Sequence, residues 1–176
     1  MPTITLALGS NIDPEDNLKA AATMLRTEYP GIRFSSVYRS APLHHTNQDD
    51  FLNAVGMFEA ENEPEFVYDF LRHVELLLGK CTPFRFGPRT IDLDLLLHGT
   101  EVLPSEEDWM RSPSQLVTRN PQLVLPHPRM HERRFVLEPL IELLPSDSLH
   151  PVIGKTWEEL LKETLGQEVQ RVRMTL

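Results

Sequence analysis

Apolar residues from Thr3 to Leu8 read as a short buried strand that ends at Gly9-Ser10-Asn11. Asp13-Pro14-Glu15-Asp16 has the chemistry of a helix start, and Leu18, Ala21, Ala22 and Leu25 follow at helical spacing until Pro30-Gly31. Ile32 to Tyr38 predicts a second strand and Phe51 to Glu59 a third, with Phe51, Asn53, Val55 and Met57 on one face. The stretch between them, Ser40 to Asp50, is a loop that includes His44-His45. Pro64-Glu65 opens a second helix carrying Phe66, Val67, Phe70, Leu71, Val74 and Leu78, closed by Gly79. A further strand follows Gly87-Pro88. From Glu101 to Gln122 the pattern dissolves into prolines, serines and charges, which predicts a long excursion rather than a domain linker. Phe135 to Leu144 reads as a helix that Pro139 kinks or interrupts, Trp157 to Leu165 as a short helix, and Val169 to Met174 as an edge strand. Strand–helix–strand–strand–helix–strand, without an internal repeat, predicts an α+β ferredoxin-like sandwich. Its sheet is antiparallel, it carries C-terminal helical additions, and one domain spans residues 1–176.

The strand after Gly87-Pro88 changes this picture, because it holds two carboxylates. Ile91, Leu93 and Leu95 alternate with Asp92 and Asp94, so both aspartates share one face and the aliphatics the other. At a rise of about 3.3 Å per residue their α-carbons lie roughly 6–7 Å apart. Two carboxylates at that separation repel by roughly 3 kcal/mol at an effective dielectric of 20, so something cationic belongs between them. Arg85 and Arg89 are candidates, and so is Mg²⁺, a hard ion that takes one or two carboxylates together with substrate phosphates. A strand with a salt-bridged solvent face fits the same spacing.

Charge and composition narrow the function class. The chain of 176 residues has a formal net charge of −9 and a pI near 5.2, which argues against a nucleic-acid-binding surface. An anionic nucleotide needs a local basic island, and Lys80, Arg85 and Arg89 form one while Arg129, Arg133 and Arg134 form another. Cys81 is the only cysteine, which excludes an internal disulfide and a multi-cysteine zinc site. The N-terminus does not read as a signal peptide and no stretch has the length of a membrane span, so a cytoplasmic protein is expected. Gly154-Lys155-Thr156 lacks the earlier glycine of a P-loop, since Leu149 stands there. His127 and His131 lie four apart across Pro128 without a third ligand nearby, a poor zinc pattern.

Several of these residues together resemble one family. Arg85 through Leu96 matches the pattern basic–any–Gly-Pro-Arg, two residues, Asp–aliphatic–Asp and two aliphatics, which belongs to the 6-hydroxymethyl-7,8-dihydropterin pyrophosphokinases of folate biosynthesis. Ala7-Leu8-Gly9-Ser10-Asn11, Tyr38-Arg39-Ser40-Ala41-Pro42, Phe51-Leu52-Asn53-Ala54 and Leu125 through Arg133 match the family's other motifs in order. The resemblance implies transfer of pyrophosphate from ATP to the pterin's hydroxymethyl oxygen, with release of AMP. It implies two Mg²⁺ ions on Asp92 and Asp94, catalytic roles for Arg89, Arg85 and Lys80, and nucleotide contacts from Glu75, Arg85, Arg89, Leu95, His127 and Arg133. It also implies a pterin site of Ser40, Ala41, Leu43, Phe51, Asn53 and Phe135, with the two phenylalanines sandwiching the ring, and a monomer with small-molecule substrates, neither nucleic acid nor membrane. Three departures stand out: Phe51 replaces a common tyrosine, Lys80 occupies an arginine's place, and the Glu101–Gln122 excursion is longer than in compact members. The stretch Gly79 to Phe86 is expected to act as a short lid. On the residues alone, Phe51 and Phe135 also fit ordinary core, and Arg72 with Glu75 a solvated helix pair.

Overall fold

The computed structural model describes residues 1–43, 47–80, 87–111 and 123–176. Arg85 and most of the expected lid lie outside them, as do His44-His45 and the second half of the excursion. The elements are β1 (Thr3–Ser10), α1 (Pro14–Glu28), β2 (Arg33–Phe34), β3 (Tyr38–Ser40), β4 (Phe51–Glu59), α2 (Pro64–Leu77) and β5 (Asp92–His98). Then follow α3 (Glu106–Met110), a 3-10 turn at Met130–Glu132, α4 (Arg134–Leu140), α5 (Trp157–Glu163) and β6 (Val169–Arg171). The strands lie in the order β5-β1-β4-β3-β6, β2 also pairs with β4, and every pairing is antiparallel. This is the expected α+β arrangement, with β6 at one edge and β5 at the other.

Three expectations are corrected. The second strand breaks between β2 and β3, because the Ser35 hydroxyl accepts the Val55 amide at 2.9 Å where a ladder carbonyl would stand. Glu142 takes the next amide, Ser36, at 2.8 Å. The helix predicted from Phe135 to Leu144 stops at Leu140: Pro139 lies inside it, and beyond it the chain tightens into a turn in which the Leu143 amide donates to the Leu140 carbonyl at 3.0 Å. The start of the excursion is ordered: Leu103 bridges to Leu125, and Ser105 caps α3 by accepting the Asp108 amide at 3.2 Å.

The sheet is covered on both faces, which is why β4 is apolar almost throughout. On one face α1 (Leu18, Ala21, Leu25) and α2 (Val67, Leu71, Val74) pack against Ile4, Leu6, Leu8, Leu93 and Leu95. On the other, Met130, Val136, Leu137, Leu140, Trp157 and Leu160 pack against Val55, Leu96 and Leu97. Leu96 and Leu97 join the same cluster because the β1–β5 register shifts there: Leu6 faces Leu95 and Thr5 faces Leu97, leaving Leu96 unmatched. Such a bulge re-aims side chains, and here it directly follows the two aspartates. Toward Gly9 and Asn53 the C-terminal cover ends and the sheet is left open as a cleft.

His150 is fully buried in the C-terminal layer, between Trp109 and Trp157. Its Nδ1 accepts from the Val152 and Ile153 amides at 3.2 Å each, so the neutral ring carries its proton on Nε2. Burial, reinforced by His131, pushes its pKa down to about 4. The unfolded chain therefore binds a proton at this site that the folded chain refuses. Its stability contribution is complete above about pH 6.5 and declines toward pH 4, by up to about 1.4 kcal/mol per unit. Urea unfolding at pH 7, 6, 5 and 4.5 should show this slope, and His150→Asn, which keeps an acceptor but cannot titrate, should flatten it. Equal slopes for both proteins would contradict the assignment.

Candidate active site

One row of residues crosses the sheet at the mouth of the cleft: Asp92 on β5 faces Gly9 on β1, Gly9 faces Asn53 on β4, and Asn53 faces Tyr38 on β3. The next row inward holds Asp94, Ala7 and Val55. Small residues between the aspartates and Asn53 make a flat floor, and a Cβ built at Gly9 would meet Asn53 Oδ1 at 3.5 Å. Asn53 is buried, and its Nδ2 donates to the Ser40 hydroxyl at 2.9 Å and to the Tyr38 carbonyl at 3.3 Å. Its Oδ1 is the atom left to accept from a ligand. Pro42, Leu43, Phe135 and Val136 line the walls of the cleft, and Phe51 shares the Asn53 face of β4.

The cations at the aspartates are placed by helix α2 and the loop before β5. Gly79, at φ +70, ends the helix in the left-handed region, and the Lys80 amide donates back to Glu75 O at 2.9 Å. That turn carries the Lys80 ammonium between two carboxylates, at 2.7 Å from Glu75 Oε1 and 2.8 Å from Asp92 Oδ1. Arg89 Nη1 holds the other Asp92 oxygen. Burial alone would raise the Asp92 carboxyl, but Arg89 and Lys80 outweigh it and hold it below the usual carboxylate range. Arg89 is itself fixed by Asn11, whose Oδ1 accepts the Arg89 amide at 2.8 Å and whose amide donates to the Arg89 carbonyl at 3.1 Å. Ser10 Oγ donates to Thr90 O at 2.6 Å.

Glu75 is not a solvated partner of Arg72: only 3 % of its surface is exposed. Its Oε1 accepts the Leu93 amide at 2.7 Å, its Oε2 pairs with Arg72 at 2.9 Å, and Arg72 Nη2 donates to the Leu93 carbonyl. Burial raises the Glu75 pKa against the pull of Arg72, Lys80 and the Leu93 amide. Asp94 is different. Its carboxylate makes no hydrogen bond among the described residues, lies 4.0 Å from Arg72, and opens into the cleft.

Facing the aspartates is a basic segment between β5 and α4. The His127 amide donates to the Leu96 carbonyl at 2.8 Å, and its Nδ1 accepts from the Arg129 amide at 3.3 Å. Burial lowers the His127 pKa more than Asp94 raises it, so the ring stays neutral with Nε2–H as donor. Arg133 lies over the Phe135 ring at 5.7 Å, and its buried Nε has no partner among the described residues. Burial, then Arg129, lowers its pKa, yet an arginine stays charged. A desolvated guanidinium with an unused donor is suited to an anion.

Of the residues singled out from sequence, Ser40, Ala41, Leu43, Phe51, Asn53, Arg89, Asp92, Asp94, His127, Arg133 and Phe135 line this one cleft. Leu95 lines an adjoining hollow with Tyr68, Arg72, Leu123, Val124 and Pro128, and Asp94 and His127 border both. Lys80 does not line the cleft but contacts Asp92 directly, bridging it to Glu75. Sequence reasoning missed the joints: Asn11, which also donates to Gln48 Oε1 at 3.1 Å, and Arg72 on the edge of β5. A turn-forming Gly9-Ser10-Asn11 directly after a strand was the available signal for the first.

Residues 5–145 match the family model for 7,8-dihydro-6-hydroxymethylpterin-pyrophosphokinase. Two relatives called 2-amino-4-hydroxy-6-hydroxymethyldihydropteridine pyrophosphokinase are similar over most of their length. The Haemophilus influenzae protein is 36% identical over 146 residues, covering 81% of this chain and 82% of its own. The Methylorubrum extorquens protein is 35% identical over 171 residues, covering 95% and 96%. A mitochondrial folate synthesis bifunctional protein of Arabidopsis thaliana is 34% identical over 96% of this chain, which spans only 31% of that relative. A crystal structure of Plasmodium falciparum HPPK-DHPS shares the fold, with a TM-score of 0.69 at 14% identity, over 94% of this chain and 46% of that one. No helix among the described residues is long and apolar enough to cross a membrane. With the motifs, the cleft and these similarities in agreement, the chain belongs to the 7,8-dihydro-6-hydroxymethylpterin-pyrophosphokinase family.

Proposed function

We propose that this protein transfers pyrophosphate from ATP to the hydroxymethyl group of 6-hydroxymethyl-7,8-dihydropterin and releases AMP, within folate biosynthesis. The observation that carries the reading is the convergence, in one cleft, of two same-face aspartates, the donors His127 and Arg133, and a buried asparagine set apart from the aspartates by small residues. The hydroxymethyl oxygen forms a bond to the β-phosphorus, and the bond from that phosphorus to the α–β bridging oxygen breaks, leaving AMP. Such transfer leaves the protein mainly positioning and charge neutralisation to do.

The donor set suits a hard divalent ion: Asp92 and Asp94 offer only oxygen, and Asp94 has unused acceptor capacity. Asp92 and Asp94 would hold two Mg²⁺ ions, which when bound neutralise the phosphates and orient them for in-line displacement. Arg89 and Lys80, now on Asp92, are within reach to exchange that carboxylate for phosphate oxygen. His127 and Arg133 donate to the triphosphate from across the cleft, and Arg85 is proposed to join them. Leu95 and the hollow beside it take the adenosine, with Glu75 holding the floor. Asn53 Oδ1 accepts from the pterin's N–H edge, and Phe51 and Phe135 stack on its faces, with Ser40, Ala41 and Leu43 along the rim.

The primary test mixes the protein with Mg-ATP and the reduced pterin. AMP is expected; ADP would indicate ordinary kinase chemistry, and no nucleotide product a binding module. Asp92→Ala and Asp94→Ala should each abolish most turnover. They differ in stability. Asp92 satisfies Lys80 and Arg89, so its loss should lower the melting temperature, whereas Asp94→Ala should leave it nearly unchanged. Near-normal turnover of either variant would remove that aspartate from the metal site.

The pterin assignments are read by binding. Phe51→Leu or Phe135→Leu should each weaken pterin binding by several-fold to about tenfold, from roughly 0.5–1.5 kcal/mol of aromatic contact. ATP binding without pterin should barely change. Asn53→Ala should cost about 1–3 kcal/mol of pterin affinity. If both leucine variants bound pterin normally, the heterocycle would have to sit elsewhere.

A further inference from the structure

The ordered start of the excursion is joined to the cleft through one side chain. Trp109, on α3, is 8 % exposed, and its Nε1 donates to the Pro126 carbonyl at 2.7 Å. Pro126 directly precedes His127. The indole also lies against His131, with ring centroids 5.6 Å apart, on the 3-10 turn that leads into Arg133. Behind it, His150 packs at 5.2 Å, and that ring rests in turn on Trp157. The strand-like pairing of Leu103 with Leu125, at 2.8 and 3.2 Å, fixes the approach of the excursion to the same segment.

The basic segment is thus gripped from two sides. Toward the sheet, the His127 amide is tied to the bulged Leu96 carbonyl. Toward the excursion, Trp109 holds the peptide before His127 and the turn before Arg133. Among the described residues His127 and Arg133 have few other side-chain restraints: Arg133 lies on the Phe135 ring with its Nε unpartnered, and the His127 ring is held through Nδ1. Their rotamers follow from where the backbone of 126–133 is set. A smaller apolar side chain at 109 would leave the buried Pro126 carbonyl without its donor and the segment without part of its packing.

We propose that Trp109 is a positioning residue for nucleotide binding, setting His127 and Arg133 against the phosphates. The assignment rests on the reading that these two residues contact the ATP phosphates. It gives the start of the excursion, Leu103 to Trp109, a role in the reaction: it buttresses the phosphate-binding segment from outside the cleft.

The test measures binding, so that it reads whether or not the protein turns over. Wild type, Trp109→Phe and Trp109→Leu are titrated with a non-hydrolysable ATP analogue plus Mg²⁺ and, separately, with the pterin, alongside melting curves. Trp109→Phe, which keeps a ring and loses the donor, should weaken the analogue by roughly threefold, and Trp109→Leu by about tenfold. Pterin affinity should move by less than about twofold in both. In a background carrying both His127→Ala and Arg133→Ala the Trp109→Leu effect should shrink to less than about twofold, because the groups it positions are gone. A lower melting temperature with unchanged analogue affinity would overturn the proposal, as would equal weakening of both ligands or full additivity with the His127→Ala, Arg133→Ala pair. Absence of AMP formation by a wild type that still binds the analogue would sink the proposed reaction and leave the Trp109 assignment standing.

Discussion

An unpaired strand edge is the constraint around which the site is built. β5 lies at the rim of the sheet, so the outward Leu93 N–H and C=O and the Leu96 C=O have no neighbouring strand. Buried backbone groups in that position need partners. Helix α2 supplies them at Leu93 through the Glu75 carboxylate and the Arg72 guanidinium, and the His127 amide supplies one at Leu96. An edge closed by side chains and a single returning segment, rather than by another strand, leaves the Asp92 and Asp94 face reachable from solvent. The same closure brings His127 opposite the aspartates.

Charge balance follows from that closure. A carboxylate at Glu75, almost entirely buried, needs cations, and it receives Arg72 and Lys80. Lys80 then has charge to share and meets Asp92, which Arg89 also holds. The electrostatic chain therefore runs from the helix interior to the cleft, and a protein of net charge −9 keeps a local set of cations where phosphates would bind. The two aspartates are unequal as a result: Asp92 is clamped and ionised, Asp94 is open.

Much of this was legible in the sequence, for identifiable reasons. The period-two alternation around Asp92 and Asp94 fixed their common face, and β4 began and ended where its apolar run did. The ferredoxin-like order followed from the succession of periods. Other features depend on contacts between distant segments, which periodicity does not carry. Ser35 reads as a strand residue until its hydroxyl is seen replacing a ladder acceptor for Val55. Arg72 and Glu75 at a spacing of three look like a surface pair, since helical spacing says nothing of an unfilled strand edge opposite. Trp109 sits in a stretch of charges and prolines without period, and only the meeting of that stretch with Pro126 gives it a place.

In the proposed reaction, Lys80 and Arg89 hold Asp92 until metal and phosphate take their places. A crystal structure grown with Mn²⁺, a non-hydrolysable ATP analogue and the pterin, with anomalous data collected for manganese, would show whether that exchange occurs. Anomalous density is expected at the Asp92 and Asp94 carboxylates, with the Lys80 ammonium moved from Asp92 onto a phosphate oxygen. Manganese absent from both aspartates, with Lys80 still bridging Glu75 and Asp92 beneath a bound nucleotide, would contradict it.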